Sequence, residues 1–301
     1  MLRSAAFIAA AAVLLAGSGG ATAQDATAPA GAAPAISAAP TGADLNISPR
    51  RVTFDETERA ASVYVFNQGE APATYTVELI DRVMSPDGQI RATADAPGEA
   101  KSPSAKDFIQ YTPRRVTLQP KESQVIRIRV RPPSDAGEYR THLTVTALPS
   151  ETSGFTAAQA AQANPDSVAL QITALFSVSI PLIVREGAVD ARAAVENAML
   201  MDPTEANPNG AVTLDLVRSG ANSVYGDVEI HAGSGAAERV VGLVRGIAVY
   251  PEIGRRTVIA PLALPLTPGE PVRVVYVDDD TKVGTVLGTA AVAPASTPRA
   301  Q

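Results

Sequence analysis

The chain contains no cysteine and no tryptophan, carries two histidines, and is only 4% aromatic. Without cysteine, neither a disulfide framework nor a thiolate metal site can form. Domains of ordinary size manage without such bridges when they bury an adequate core. The two histidines are His142, within a predicted strand, and His231, at a strand end. Each reads as structural or solvated rather than as a general base or metal ligand. No G-x-S-x-G, H-E-x-x-H or P-loop pattern occurs. No catalysis, cofactor or metal is therefore expected. Scarce aromatics argue further against a sugar-binding sandwich, because sugar sites favour stacked ring platforms. A net charge of −6 argues against nucleic acid or an anionic membrane as partner.

The N-terminal region reads as an export signal. Arg3 supplies a positive start, Phe7 to Leu15 form a short apolar core, and Ala21-Thr22-Ala23 makes a cleavage site before Gln24. Gly17, Ser18, Gly19 and Gly20 interrupt the run well short of the roughly 20 apolar residues a membrane span requires. Residues 1–23 are thus expected to be removed, leaving an exported, soluble chain. Residues 24–42, rich in Ala and Pro, have little to bury and read as a disordered leader, and 294–301 as a flexible tail.

What remains is strand after strand. Leu45–Phe54, Ala61–Phe66, Thr74–Val83, Phe108–Tyr111, Val116–Leu118, Gln124–Val130 and Tyr139–Leu148 are separated by turn residues such as Asn67-Gln68-Gly69 and Ser85-Pro86-Asp87-Gly88. The Ala-rich stretch Thr156–Ala163 reads as a loop. After Arg185-Glu186-Gly187 the pattern resumes with Val212–Val217, Val224–Ile230, Val240–Val249, Arg256–Leu262, Val272–Val277 and Val283–Val292. The fold class is all-β, with two sandwich domains over residues 43–185 and 186–293.

One strand exceeds the needs of a single small domain. From Val168 to Val184 every even position is apolar: Val168, Leu170, Ile172, Ala174, Phe176, Val178, Ile180, Leu182 and Val184. A period of two means an extended strand with one apolar face. At about 3.4 Å per residue it would run roughly 55 Å, about three times an ordinary strand. It either joins two domains or lends its row to another protein.

Arg127, Arg129 and Arg131 alternate with apolar residues and therefore share the face opposite the core. Pro49-Arg50-Arg51-Val52-Thr53 recurs as Pro113-Arg114-Arg115-Val116-Thr117, which reads as convergent strand-entry chemistry. Gly233-Ser234-Gly235 lacks the following helix and Lys of a phosphate loop and reads as a hairpin turn. Asp278-Asp279-Asp280 reads as a solvated turn or the source of one structural ion pair rather than a cation site.

These segments resemble the periplasmic pilus-assembly chaperones, the PapD-like family. Ile47-Ser48-Pro49-Arg50-Arg51-Val52-Thr53-Phe54 resembles the family's opening strand and Ala61 to Asn67 its second. Thr112-Pro113 through Leu118, with Pro120, Gln124 and Arg127, resembles its "TPP…L.PG..Q..R" region. Tyr139 to Leu148-Pro149 resembles the strand closing on an Ile/Leu-Pro pair, and Leu170 to Arg185 the long G1 strand.

The resemblance implies two immunoglobulin-like domains set at an angle around a cleft. It also implies donor-strand complementation, in which G1 fills the groove of a fibre subunit lacking its last strand. The lent row would be Val168, Leu170, Ile172, Ala174 and Phe176. Burial of about 1.5–3 kcal/mol for each of four side chains gives a gross of roughly 6–12 kcal/mol, before association costs subtract. Arg51 matches the arginine that holds the subunit's C-terminal carboxylate. Glu138 and Arg185 match two members of an interdomain ion-paired triad, with Asp278 expected as the third and Asp279 close behind. The family usually adds a lysine three or four residues before Arg185, where this chain has Pro181 and Leu182. Anchoring would then rest chiefly on Arg51 and the apolar row. The implied partners are pilus subunits and an outer-membrane usher, in the periplasm, with no nucleic acid and no membrane insertion. A structural subunit or adhesin, and an exported ligand-binding β-sandwich, are the competing readings.

Overall fold

Alternation along the strands builds the first sandwich. In β9 (Ser123–Val130) Ile126, Ile128 and Val130 are buried while Arg127 and Arg129 are exposed, as a strand with one face on a core requires. The computed structural model describes residues 44–98, 102–149 and 175–294, all within the unit Ala38–Gln301.

One sheet has the order β1 (Leu45–Ser48), β3 (Ala60–Asn67), β9, β7 (Ile109–Thr112). The other runs β2 (Val52–Phe54), β11 (Ser177–Glu186), β10 (Gly137–Ala147), β4 (Ala73–Ile80), β8 (Arg115–Leu118). Phe54, Val63, Val65, Tyr75, Ile126, Leu143, Ile180 and Leu182 fill the space between them. The small hairpin of β5 (Arg82–Met84) and β6 (Ile90–Ala92) extends from this domain. Sequence periodicity runs β4 and β5 together as Thr74–Val83 and passes over β6, which has only three residues.

The internal repeat marks two sheet changes. The stretch expected as one strand, Leu45–Phe54, divides at Pro49: β1 pairs antiparallel with β3, whereas β2 pairs parallel with β11. At Pro113 the chain likewise passes from β7, paired with β9, to β8, paired with β4. Both prolines follow cis peptide bonds. A proline has no N–H to continue a ladder, so it suits the residue where a strand leaves one sheet for the other.

The second domain stacks β12 (Arg192–Met201), β13 (Ala211–Ser219) and β16 (Arg255–Pro261) against a sheet ordered β15 (Arg239–Val249), β14 (Val224–Ala232), β17 (Val272–Asp278), β18 (Val286–Ala291). Val212, Leu214, Leu216, Val228, Ile230, Val274 and Tyr276 form its core. β12 is absent from the sequence reading. Its run Arg-Ala-Ala-Val-Glu-Asn-Ala-Met-Leu-Met has few β-branched residues, and its register breaks between Glu196 and Met199 around Asn197 at φ 51°. Both domains are immunoglobulin-like β-sandwiches. Met84 and Ile183 of the first domain belong to the second domain's core, so the two share apolar contact.

Candidate carboxylate site at the domain junction

β11 pairs with β10 along its whole length, from Ser177 opposite Thr146 to Glu186 opposite Gly137. On its other edge β2 covers only Leu182 to Val184. Among the described residues, the edge from Ser177 to Pro181 has no neighbouring strand. The apolar row changes character along the same stretch. Ile180, Leu182 and Val184 are buried in the first domain's own core, Val178 is half-buried, and Phe176 is 39% exposed beside Leu175 at 57%. Phe176 stays tied to the sheet, its carbonyl accepting from Ala147 N at 3.0 Å. Val168, Leu170, Ile172 and Ala174 lie outside the described residues, as does Thr156–Ala163.

The odd residues of β11 face the other way, and Ile183 and Arg185 among them reach the second domain. Val52 pairs with Leu182, which sets Arg51 alongside Pro181, and His142 on β10 lies opposite Pro181. Two residues on, Ile183 enters the second domain's core; two further, Arg185 meets Glu138, its register partner on β10. Arg185 Nε donates to Glu138 Oε2 at 2.9 Å, and its Nη2 donates to Asp280 Oδ2 at 2.7 Å and to Ser223 Oγ and carbonyl at 3.3 Å. Ser223 N also donates to Glu138 Oε2 at 3.0 Å. Burial disfavours the Arg185 charge, but Glu138 and Asp280 outweigh it and raise the guanidinium's pKa.

Arg51 joins the same network. Its Nη2 donates to Asp280 Oδ2 at 3.0 Å and its guanidinium lies 4.5 Å from the ring centre of Tyr225. Its Nε and Nη1 are buried without a hydrogen-bond partner among the described residues. Unpaired guanidinium donors in a protein interior are costly and suit a carboxylate.

The third acid is Asp280, which corrects the expectation of Asp278. Asp278 ends β17 and turns its carboxylate into its own loop, accepting from Asp280 N, Thr281 N, Thr281 Oγ1 and Lys282 N at 2.7–3.1 Å. Burial pushes its carboxyl up, but these bonds prevail and hold it below the usual range. Asp279 is exposed. Three adjacent aspartates look alike in sequence; the turn that Asp278 caps is what aims Asp280 at the arginines.

A second ion pair escaped sequence reading. Arg140, on the same β10 face as Glu138 and His142, pairs with Glu252 from the β15–β16 turn, each side chain 1% exposed. Glu252 also accepts from Met84 N at 2.8 Å and Ser102 Oγ at 2.6 Å, and Arg140 stacks 3.7 Å from the Tyr250 ring centre. The alternation Glu138-Arg140-His142 was visible, but nothing local marks Glu252 as its partner.

His142 is buried; that burial, with Arg140 and Arg82 beside it, pushes its imidazole down to about 3. His231 bridges Glu229 and Glu238 at 2.8 Å each. Gly233 and Ser234 precede a single 3-10 turn, Gly235–Ala237, between β14 and β15. Arg127, Arg129 and Arg131 are exposed. Among the described residues no group of three or more His, Cys, Asp or Glu is placed to hold a metal.

Two immunoglobulin-like sandwiches joined through buried ion pairs, with β11 paired on its outer edge only from Leu182 to Val184 among the described residues, define the class of two-domain β proteins. Residues 44–186 match the family described as "Pili and flagellar-assembly chaperone, PapD N-terminal domain". This match assigns the first domain, residues 44–186, to that chaperone-domain family. No curated protein sequence matches it. Among solved structures it is similar to the CsuC–CsuE chaperone–tip adhesion subunit pre-assembly complex of Acinetobacter baumannii, at 12% identity and TM-score 0.43, covering 83% of this chain and 98% of that one. It is also similar to the E. coli chaperone DraB, at 17% identity and TM-score 0.39, covering 82% and 96%. The Pseudomonas aeruginosa CupB2 chaperone gives 15% identity and TM-score 0.39, covering 83% and 100%. The family assignment rests on the first domain's own match.

Proposed function

We propose that this protein is a periplasmic chaperone that binds and caps fibre subunits by donor-strand complementation and delivers them to an outer-membrane usher. The observation that carries the reading is the state of β11. Its apolar row is buried from Ile180 to Val184 and emerges exposed at Phe176, where, among the described residues, the outer edge has no neighbouring strand. An apolar row on an open edge can add a strand to a partner: main-chain bonds supply affinity and alternate side chains fill its pockets. Val168, Leu170, Ile172 and Ala174 would continue that row into the subunit. β11 also fills its own domain's sheet beside β10, which disfavours the reading of the chain as a subunit lacking its last strand.

In this reading Arg51 anchors the subunit's C-terminal carboxylate through its guanidinium, the side chain being about one-tenth exposed. Arg185, Glu138 and Asp280 set how the two domains meet, and no chemistry is performed on the partner. Pull-down of the mature protein from a periplasmic extract should recover small exported β subunits. Leu170→Glu and Ile172→Glu should abolish the complex while leaving the free chaperone folded; an intact complex in either variant overturns the mechanism.

A further inference from the structure

Asp280 serves two arginines with one carboxylate. Its Oδ2 accepts from Arg185 at 2.7 Å and from Arg51 at 3.0 Å, and its Oδ1 accepts from Thr53 Oγ1 at 3.3 Å. Arg185 is already satisfied by Glu138 at 2.9 Å, so Asp280 is not its only counter-charge. For Arg51, Asp280 is the only carboxylate partner among the described residues, with both side chains about one-tenth exposed. Arg51, Arg185, Glu138 and Asp280 thus form a closed set of two cations and two anions. At the register position alongside Arg51, β11 carries Pro181 rather than a cation.

We propose that Asp280 is an internal competitor for Arg51: it holds the guanidinium in the free protein and weakens its grip on an incoming carboxylate. A ligand carboxylate reaching the Arg51 guanidinium enters beside a like charge already bound to Nη2, and like charges sharing a cation oppose one another. Arg51 is kept in place meanwhile by the Tyr225 ring and by Asp280 itself. The consequence is a carboxylate anchor that is pre-positioned yet weak, suited to a partner that must later be handed on. This rests on the reading of Arg51 as the carboxylate anchor.

The test uses the mature full chain, with sodium acetate as the probe and sodium chloride at equal ionic strength as reference. Binding is followed at the Arg51 Nε–H resonance. Asp280→Asn should tighten acetate binding there by at least about fivefold, the lower end of ordinary coupling between sites. Glu138→Gln removes one charge from the same set without touching Arg51, and should produce a smaller gain. In the wild-type protein, which needs no variant to fold, the Asp280 side-chain carboxyl resonance should move in step with Arg51 as acetate is added. A wild-type response at Arg51 with no movement at Asp280, or with equal or weaker binding in Asp280→Asn, overturns the competitor role. No acetate response at Arg51 in either protein overturns the anchor reading itself.

Discussion

Glu252 of the second domain is enclosed by the first: Arg140 Nη1 donates to its Oε2 at 3.0 Å, and Met84 N and Ser102 Oγ donate to it as well. Burial pushes the Glu252 carboxyl up, yet Arg140 and Ser102 prevail and lower it, so the group stays ionised. Together with Arg185, Glu138 and Asp280 it makes the junction a place where charges are matched rather than exposed.

Removing one partner of a buried pair strands the other. Glu252→Ala or Arg140→Ala should therefore cost about 3–5 kcal/mol in urea unfolding, whereas replacing both by apolar residues of like size should cost much less. A single variant losing under about 1 kcal/mol would show the pair to be solvated in solution.

The two junction arginines should differ in kind. Arg185→Ala strands Glu138, while Asp280 keeps Arg51, and should cost about 3–5 kcal/mol. Arg51→Ala leaves Asp280 paired with Arg185 at 2.7 Å, and should cost less, about 1.5–3 kcal/mol, while removing carboxylate binding. Parallel melting curves and subunit pull-downs separate the two effects.

His142 should give the protein a pH dependence of definite sign. Its folded pKa is pushed from 6.5 down to about 3, so between those values the unfolded chain binds the extra proton. Its stabilising contribution is complete above pH 6.5 and is lost as pH falls toward 3, at up to about 1.4 kcal/mol per pH unit. His142→Gln should flatten the fall in melting temperature between pH 7 and pH 5. An unchanged slope in the variant would assign the acid sensitivity to other groups.

Lys121 occupies a left-handed conformation, φ 63°, in the turn between β8 and β9. A side chain there costs roughly 1–2 kcal/mol, which glycine avoids. Its Nζ bonds Gln68 O and Glu70 at 2.6 Å, but both contacts are exposed and worth little. Lys121→Gly should raise stability by up to about 1 kcal/mol, read as a melting-temperature gain of about 2–4 °C. A lower melting temperature would mean that the Lys121 contacts outweigh the strain.

Amino-acid order alone determined the all-β class, because alternation such as Ile126, Ile128 and Val130 against Arg127 and Arg129 has one structural meaning wherever it occurs. Resemblance to a family, rather than periodicity, singled out Arg51 as a carboxylate anchor and Glu138 and Arg185 as ion-pair partners. Tertiary structure decided what depends on contacts between distant segments. It divided Leu45–Phe54 between two sheets, chose Asp280 over Asp278 through the turn Asp278 caps, and brought Glu252 to Arg140 across 112 residues. The long apolar row shows both levels at once. Its period is local and legible, but only the partial coverage of β11 by β2 determines that Ile180 to Val184 serve this protein's own core while Phe176 stands exposed.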